Sequence, residues 1–192
     1  MWLEAQAVFS SKDDTLSHTP LMGKRISRIC TDPLTEYGAK ALESTREKKA
    51  SFALDQVSLD IIISTDIVSN MMSTVDSYYN STLAHCVYYG STVTENGHHH
   101  LHGEVVSLGV LCLLEFEKDD SEVERIMEFN SSIGLPVCFD DVEIDESEFE
   151  KMADKFVQTT EWAHMPAGVT REGFIEAMKS LNAKGRRFKA GK

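Results

Sequence analysis

Residues 102–117 read HGEVVSLGVLCLLEFE. Between Val105 and Leu114 this run is apolar on nearly every side of a helix, which predicts a central, buried helix rather than a surface one. It is too short to cross a membrane, and it contains Ser107 and Gly109. Ahead of it, Gly90 to Gly97 is a loop rich in Thr, Asn and Gly, preceded by a short helix over about residues 80–89. Behind it, Ser121-x-x-Glu124 predicts a capping box, with Val123, Ile126 and Met127 as the apolar stripe. Gly134 closes that helix and Pro136 forbids its continuation. Asp145 can cap a helix bearing Phe149, Met152 and Phe156. Thr170 can cap the last one, which carries Phe174, Ala177, Met178 and Leu181 at helical spacing.

The N-terminal part follows the same period. Trp2, Ala5, Val8 and Phe9 recur at helical spacing from the first residues, with no capping residue ahead of them. A helix is predicted from Pro20 through Ile26 and Ile29. Thr31-Asp32-Pro33 kinks it or starts a new helix, which runs to about Lys49. Leu59, Ile62, Ile63 and Ile67 put an apolar face on a helix over about residues 55–72, and a polar break follows at Ser73–Asp76. Only Pro136 to Val142 reads at all like a strand. No repeat, and no alternation of strands with helices, is present. The fold class is therefore all-α, a multi-helix bundle over residues 1–183 followed by a basic tail at 184–192.

With 192 residues, the chain is long enough for one domain, or a domain plus a small appendage. Its 42% hydrophobic and 26% charged residues argue against disorder. The net charge of −12 argues against nucleic acid as a partner, since backbone binding needs clustered Lys and Arg. Lys184, Arg186, Arg187, Lys189 and Lys192 crowd the C-terminus without an acid among them and read as a solvated tail. No segment reads as membrane-spanning, and the N-terminus lacks the basic and apolar regions of a signal peptide, so the expected location is cytoplasmic. Cys30, Cys86, Cys112 and Cys138 form no CxxC pair and read as reduced core thiols.

His85, His98, His99, His100 and His102 crowd one short stretch; His18 and His164 lie apart. Neutral imidazole is a common ligand for Zn²⁺ and Fe²⁺. A helix, a loop and a second helix can bring His85 and His102 to one point. A polar, solvent-facing loop fits the same spacing equally well, because neither HExxH nor CxxC is present. No dinucleotide fingerprint, Walker motif or nucleophile elbow occurs, so no catalytic residue is assigned and no nucleotide cradle is evident.

Ala84-His85-Cys86, a loop, and Leu101-His102-Gly103-Glu104-Val105-Val106-Ser107-Leu108-Gly109 resemble the metal-binding region of the glycerol dehydrogenase-like, iron-containing (group III) alcohol dehydrogenase family. Trp2-Leu3-Glu4-Ala5, Ser132-Ile133-Gly134-Leu135-Pro136-Val137 and Met165-Pro166 with Val169-Thr170-Arg171-Glu172 resemble further family motifs in the same order. The likeness covers essentially the whole chain.

The resemblance implies a C-terminal all-α domain of the dehydroquinate synthase-like fold. Its N-terminal companion would be a Rossmann-like domain that binds NAD. It implies zinc, or iron, held by one aspartate and two histidines, the latter falling on His85 and His102. The aspartate would fall just upstream of Trp2, so a truncated or split gene is expected. His98 receives no role. The metal would then be bound weakly, Glu104 being the nearest carboxylate in sequence.

Three functions follow from these readings. The first is the metal and substrate half of an NAD-dependent polyol dehydrogenase, inactive alone and dependent on a Rossmann-half chain. The second is a non-catalytic helical remnant or interaction module. The third is a small metal-binding protein built on the His85–His102 loop. An apolar face left without its cover, and hence self-association, is also expected.

Overall fold

A computed structural model describes residues 2–74 and 79–191, and the chain divides into two compact units, residues 2–80 and residues 81–192. Among the described residues every regular element is helical. The sequence-based boundary at residue 183 falls inside a helix, and the first unit was not foreseen as separate.

The first unit begins with α1 (Leu3–Ser10) and α2 (His18–Ile26), which runs into a 3₁₀ turn at Ser27–Cys30. Next comes α3 (Asp32–Glu47), with Pro33 in its first turn, where the missing N–H removes no helical bond. Lys48, in the left-handed region, ends it. Ser51 caps α4 (Phe52–Leu59) by accepting from the Leu54 N–H at 3.1 Å. The helix expected over 55–72 is helical throughout, with a π-helical turn at Asp60–Ser64 joining α4 to α5 (Thr65–Met72). Leu3, Ala7, Cys30, Val68 and Met72 form the core, with Tyr79 against it. The predicted polar break at Ser73–Asp76 extends past the described residues, which resume at Tyr79.

The second unit contains α6 (Leu83–Ser91), α7 (His102–Glu117), α8 (Asp120–Ile133), α9 (Phe149–Phe156), α10 (Thr160–Ala163) and α11 (Arg171–Ala190). As its pattern requires, α7 is buried from Val105 through Leu114 and packs on α6, α8 and α11. Phe139, Phe149, Phe156 and Phe174 are fully buried, and the Phe156 ring meets those of Trp162 and Phe174 at 5.0 and 5.6 Å. Buried Asn130 donates to Ser107 Oγ at 2.9 Å and to the Pro136 carbonyl at 3.1 Å, joining α8 to α7. A buried amide needs such partners, since an unmet one costs about 1–3 kcal/mol.

The ends of these helices agree with the sequence at Gly134, which closes α8 at φ 82°, and at Thr170, which caps α11 by accepting from the Gly173 N–H. They differ at α8, where Asp119 rather than Ser121 is the cap and accepts from the Glu122 N–H. Lys118 has already turned into the left-handed region to end α7, which leaves Asp119 as the first residue able to serve. Asp145 caps a 3₁₀ turn at Glu146–Glu148 that leads into α9. The strand-like stretch from Pro136 is a 3₁₀ turn at Phe139–Val142, because the Asp141 carboxylate accepts the N–H groups of Val137 and Cys138.

Residues 184–190 are helical and form the last turns of α11, with Arg186, Arg187 and Lys189 exposed. Lys184 pairs with Glu115 and Asp120, Arg186 with Asp140 and Glu146, and Lys189 with Asp141. The Arg186 guanidinium holds the Asp140 carboxyl below its ordinary range. These pairs explain both the basic run and the acidic run facing it. Cationic side chains at a helix C-terminus are further favoured by its dipole. All four cysteines are buried and free, and among the described residues no helix is long and apolar enough to cross a membrane.

Candidate metal centre

The pairing of α6 with α7 depends on a glycine. A Cβ at Gly109 would lie 2.3 Å from the Ala84 carbonyl oxygen, so only glycine permits this approach. Ala84 precedes His85 on α6, and His102 opens α7, so this contact brings the histidine-bearing parts of the two helices together. The rings of His85 and His102 stand 5.5 Å apart between centroids. Tyr88, one helical step beyond His85, lies near-perpendicular to the His102 ring, 4.3 Å away between centroids.

The two imidazoles differ in setting: His85 is buried and His102 is exposed. Burial, reinforced by His102, pushes the His85 pKa down to about 4, while the charge of Glu161 opposes the fall. His85 is therefore neutral near pH 7 and keeps a lone pair. Its neighbour Cys86 is pushed up to about 12 by burial, so it stays a thiol.

The other histidines of the cluster lie elsewhere. His98 and His99 are exposed, their rings tilted against each other at 4.0 Å between centroids, on a 3₁₀ turn at Gly97–His99. His100 lies between carboxylates, 3.7 Å from Glu104 and 3.8 Å from Glu143. Glu104 also accepts the Leu101 N–H at 2.9 Å, tying down the start of α7. His164 Nδ1 lies 2.7 Å from the Thr160 carbonyl. Of the sequence candidates, then, only His85 and His102 pair across two helices.

Two imidazoles are donors of the kind that zinc and iron take. Two imidazoles sharing a tetrahedral cation, each nitrogen about 2.0–2.1 Å from it, have centroids about 5 Å apart, close to the spacing seen here. Among the described residues no group of three His, Cys, Asp or Glu side chains converges on one metal position.

Sequence reasoning missed three contributors: Gly109, whose smallness shows only once α6 lies against α7; Tyr88; and Glu161. The last accepts from the hydroxyls of Ser81 and Tyr89, both at 3.2 Å. Two aromatic or acidic residues in helical segments carry no distinguishing signal by spacing.

No family model matches the chain. It is 30% identical to a glycerol dehydrogenase of Thermotoga maritima over 168 residues, 84% of this chain and 44% of that protein. Against a glycerol dehydrogenase of Pseudomonas putida the identity is 28%, over 97% of this chain and 51% of the relative. A crystal structure of a probable glycerol dehydrogenase from Sinorhizobium meliloti superposes with a TM-score of 0.80 and 25% identity, covering 97% of this chain and 53% of that one. The chain thus spans about half the length of the curated relatives it matches.

Its helical architecture matches the all-α C-terminal domain of glycerol dehydrogenase-like structures. The chain itself is homologous to glycerol dehydrogenases over the part of their length that it spans.

Proposed function

We propose that the chain is the metal- and substrate-binding half of an NAD-dependent polyol dehydrogenase, with the nucleotide-binding part outside these 192 residues. The observation that carries the reading is the His85–His102 pair, on adjacent helices of a chain homologous to glycerol dehydrogenases. His85 and His102 would hold zinc, or iron, through one nitrogen each, with a carboxylate supplied from beyond these residues. Without that carboxylate the affinity is low. When bound, such a cation stabilises an alkoxide and lets an alcohol lose its proton near neutral pH.

The chain's own residues prepare the place for it. Burial keeps His85 unprotonated, and the near-perpendicular Tyr88 ring limits how the His102 ring can turn. The Gly109 contact fixes the spacing of the helices that carry the pair. The substrate is a small polyol, whose hydroxyl would reach the open position beside the two imidazoles. Hydride transfer needs a nicotinamide held by the other half, so the chain alone is expected to be inactive.

The test is to mix the chain with the separately made nucleotide-binding half of the Thermotoga maritima relative, together with zinc, NAD⁺ and glycerol. NADH should form in the mixture and not with either half alone. A mixture of two folded halves that bind each other yet make no NADH would contradict the proposal and favour a non-catalytic helical module.

A further inference from the structure

Glu161 is fastened beside the stretch of α6 that carries His85. Ser81 Oγ and Tyr89 Oη both donate to its Oε1 at 3.2 Å. Ser81 lies just ahead of α6, Tyr89 lies on α6 one turn beyond His85, and Glu161 lies on α10, which packs against α6. The carboxylate is therefore tied on both sides of His85 along the helix that carries it. Burial, then the Glu161 charge, holds the Tyr89 hydroxyl protonated, so it remains a donor.

We propose that Glu161 is a positioning residue of the histidine pair, its fixed negative charge strengthening the hold of His85 and His102 on a divalent cation. This rests on the reading of those two histidines as a metal pair. The physical reason is direct. A carboxylate and a dication in a partly buried site attract far more strongly than in bulk water. A carboxylate tied by two hydroxyls cannot swing away into solvent. Outer groups of this kind commonly alter metal affinity by about 10–100-fold. A carboxylate that merely clasped α10 to α6 would influence melting and leave metal affinity unchanged.

The experiment uses the chain with cobalt(II) as the metal probe, read by its visible absorption, alongside thermal melting by circular dichroism. Glu161→Gln keeps the side-chain shape and still accepts from both hydroxyls, but removes the charge. It should leave the cobalt bands in place and the melting curve near that of the parent, while raising the dissociation constant about tenfold. Unchanged affinity in Glu161→Gln, with parental binding through His85 and His102 intact, overturns the role of Glu161 alone.

If Glu161→Gln melts too early to assay, the double variant Ser81→Ala, Tyr89→Phe decides. It keeps the charge but releases its fastening, so weaker binding is expected and parental affinity overturns the proposal. A parent chain that binds no cobalt, or binds it as well after His85→Ala, overturns the metal pair and this inference with it.

Discussion

In residues 81–192 the large apolar side chains turn inward: Phe139, Phe149, Phe156, Phe174, Leu108 and Leu111 are all fully buried. In residues 2–80 the arrangement around the π-helical turn is reversed. Leu59, Ile61, Ile62, Ile63 and Ile67 are exposed, Ile62 to 70%, whereas the carboxylate-bearing Asp60 is buried. One stretch meets the ordinary requirements of a self-sufficient core. The other shows apolar surface of the kind that marks an interaction face and hides a charge that folding alone gives no reason to hide. The first can be expected to respond to substitution as cores do, the second against intuition.

The largest contrast lies between two apolar truncations. Phe149→Ala should cost about 3–5 kcal/mol in urea unfolding, because it leaves a large cavity among buried rings. Ile62→Ala should fall within about 0.5 kcal/mol, since nothing covers that side chain. Equal costs would end the distinction drawn between the two regions.

Gly109→Ala comes next. The added methyl meets the Ala84 carbonyl, so a loss of about 1–3 kcal/mol is expected, together with weakened zinc binding as His85 and His102 are pushed apart. Melting and zinc titration of the same sample would check both halves of this statement.

Asp60→Asn should do the opposite and stabilise the chain at neutral pH, by about 1–3 kcal/mol. Burial raises the Asp60 pKa in the folded state above its unfolded value. The folded form is therefore favoured while the carboxyl is protonated, and that advantage is lost as pH rises through the raised pKa. The gap between the variant and the parent should accordingly close as pH falls through the carboxylate range. A gap that widens in acid would contradict the sign.

The smallest effect belongs to the surface. Ile62→Glu with Ile63→Glu should lower the binding of a hydrophobic dye without shifting the melting temperature by more than a degree or two. Dye binding that stays constant would mean that the apolar face lies elsewhere.

Much of this was legible beforehand. The buried helix over His102–Glu117 has the bounds its pattern suggested, and Gly134 and Thr170 stop and start their helices through local chemistry alone. For His85 and His102 the spacing leaves a metal pair and a polar loop equally open, and only the family resemblance singles the two out; their rings lie 5.5 Å apart between centroids. What failed to show depended on partners distant in sequence. For the basic run at 184–192, spacing gives no sign of Asp140, Asp141 and Glu146 opposite it. Ser121-x-x-Glu124 has the spacing of a capping box, but Lys118 ends α7 so close by that Asp119 takes the role first. The π-helical turn that buries Asp60 leaves the helical period nearly intact on either side, so spacing gives no warning of it.

On the proposed reading, His85 and His102, and not the rest of the histidine cluster, would hold the metal. The most direct test of that reading is a zinc titration against a chelating indicator, with the parent chain, His85→Ala, His102→Ala and the double variant His98→Ala, His99→Ala, all checked for folding. The account predicts that each of the first two substitutions removes the tightest zinc site while the double variant keeps it. Zinc binding that survives in His85→Ala and His102→Ala but is lost in the double variant would contradict it, leaving a surface chelator on the loop.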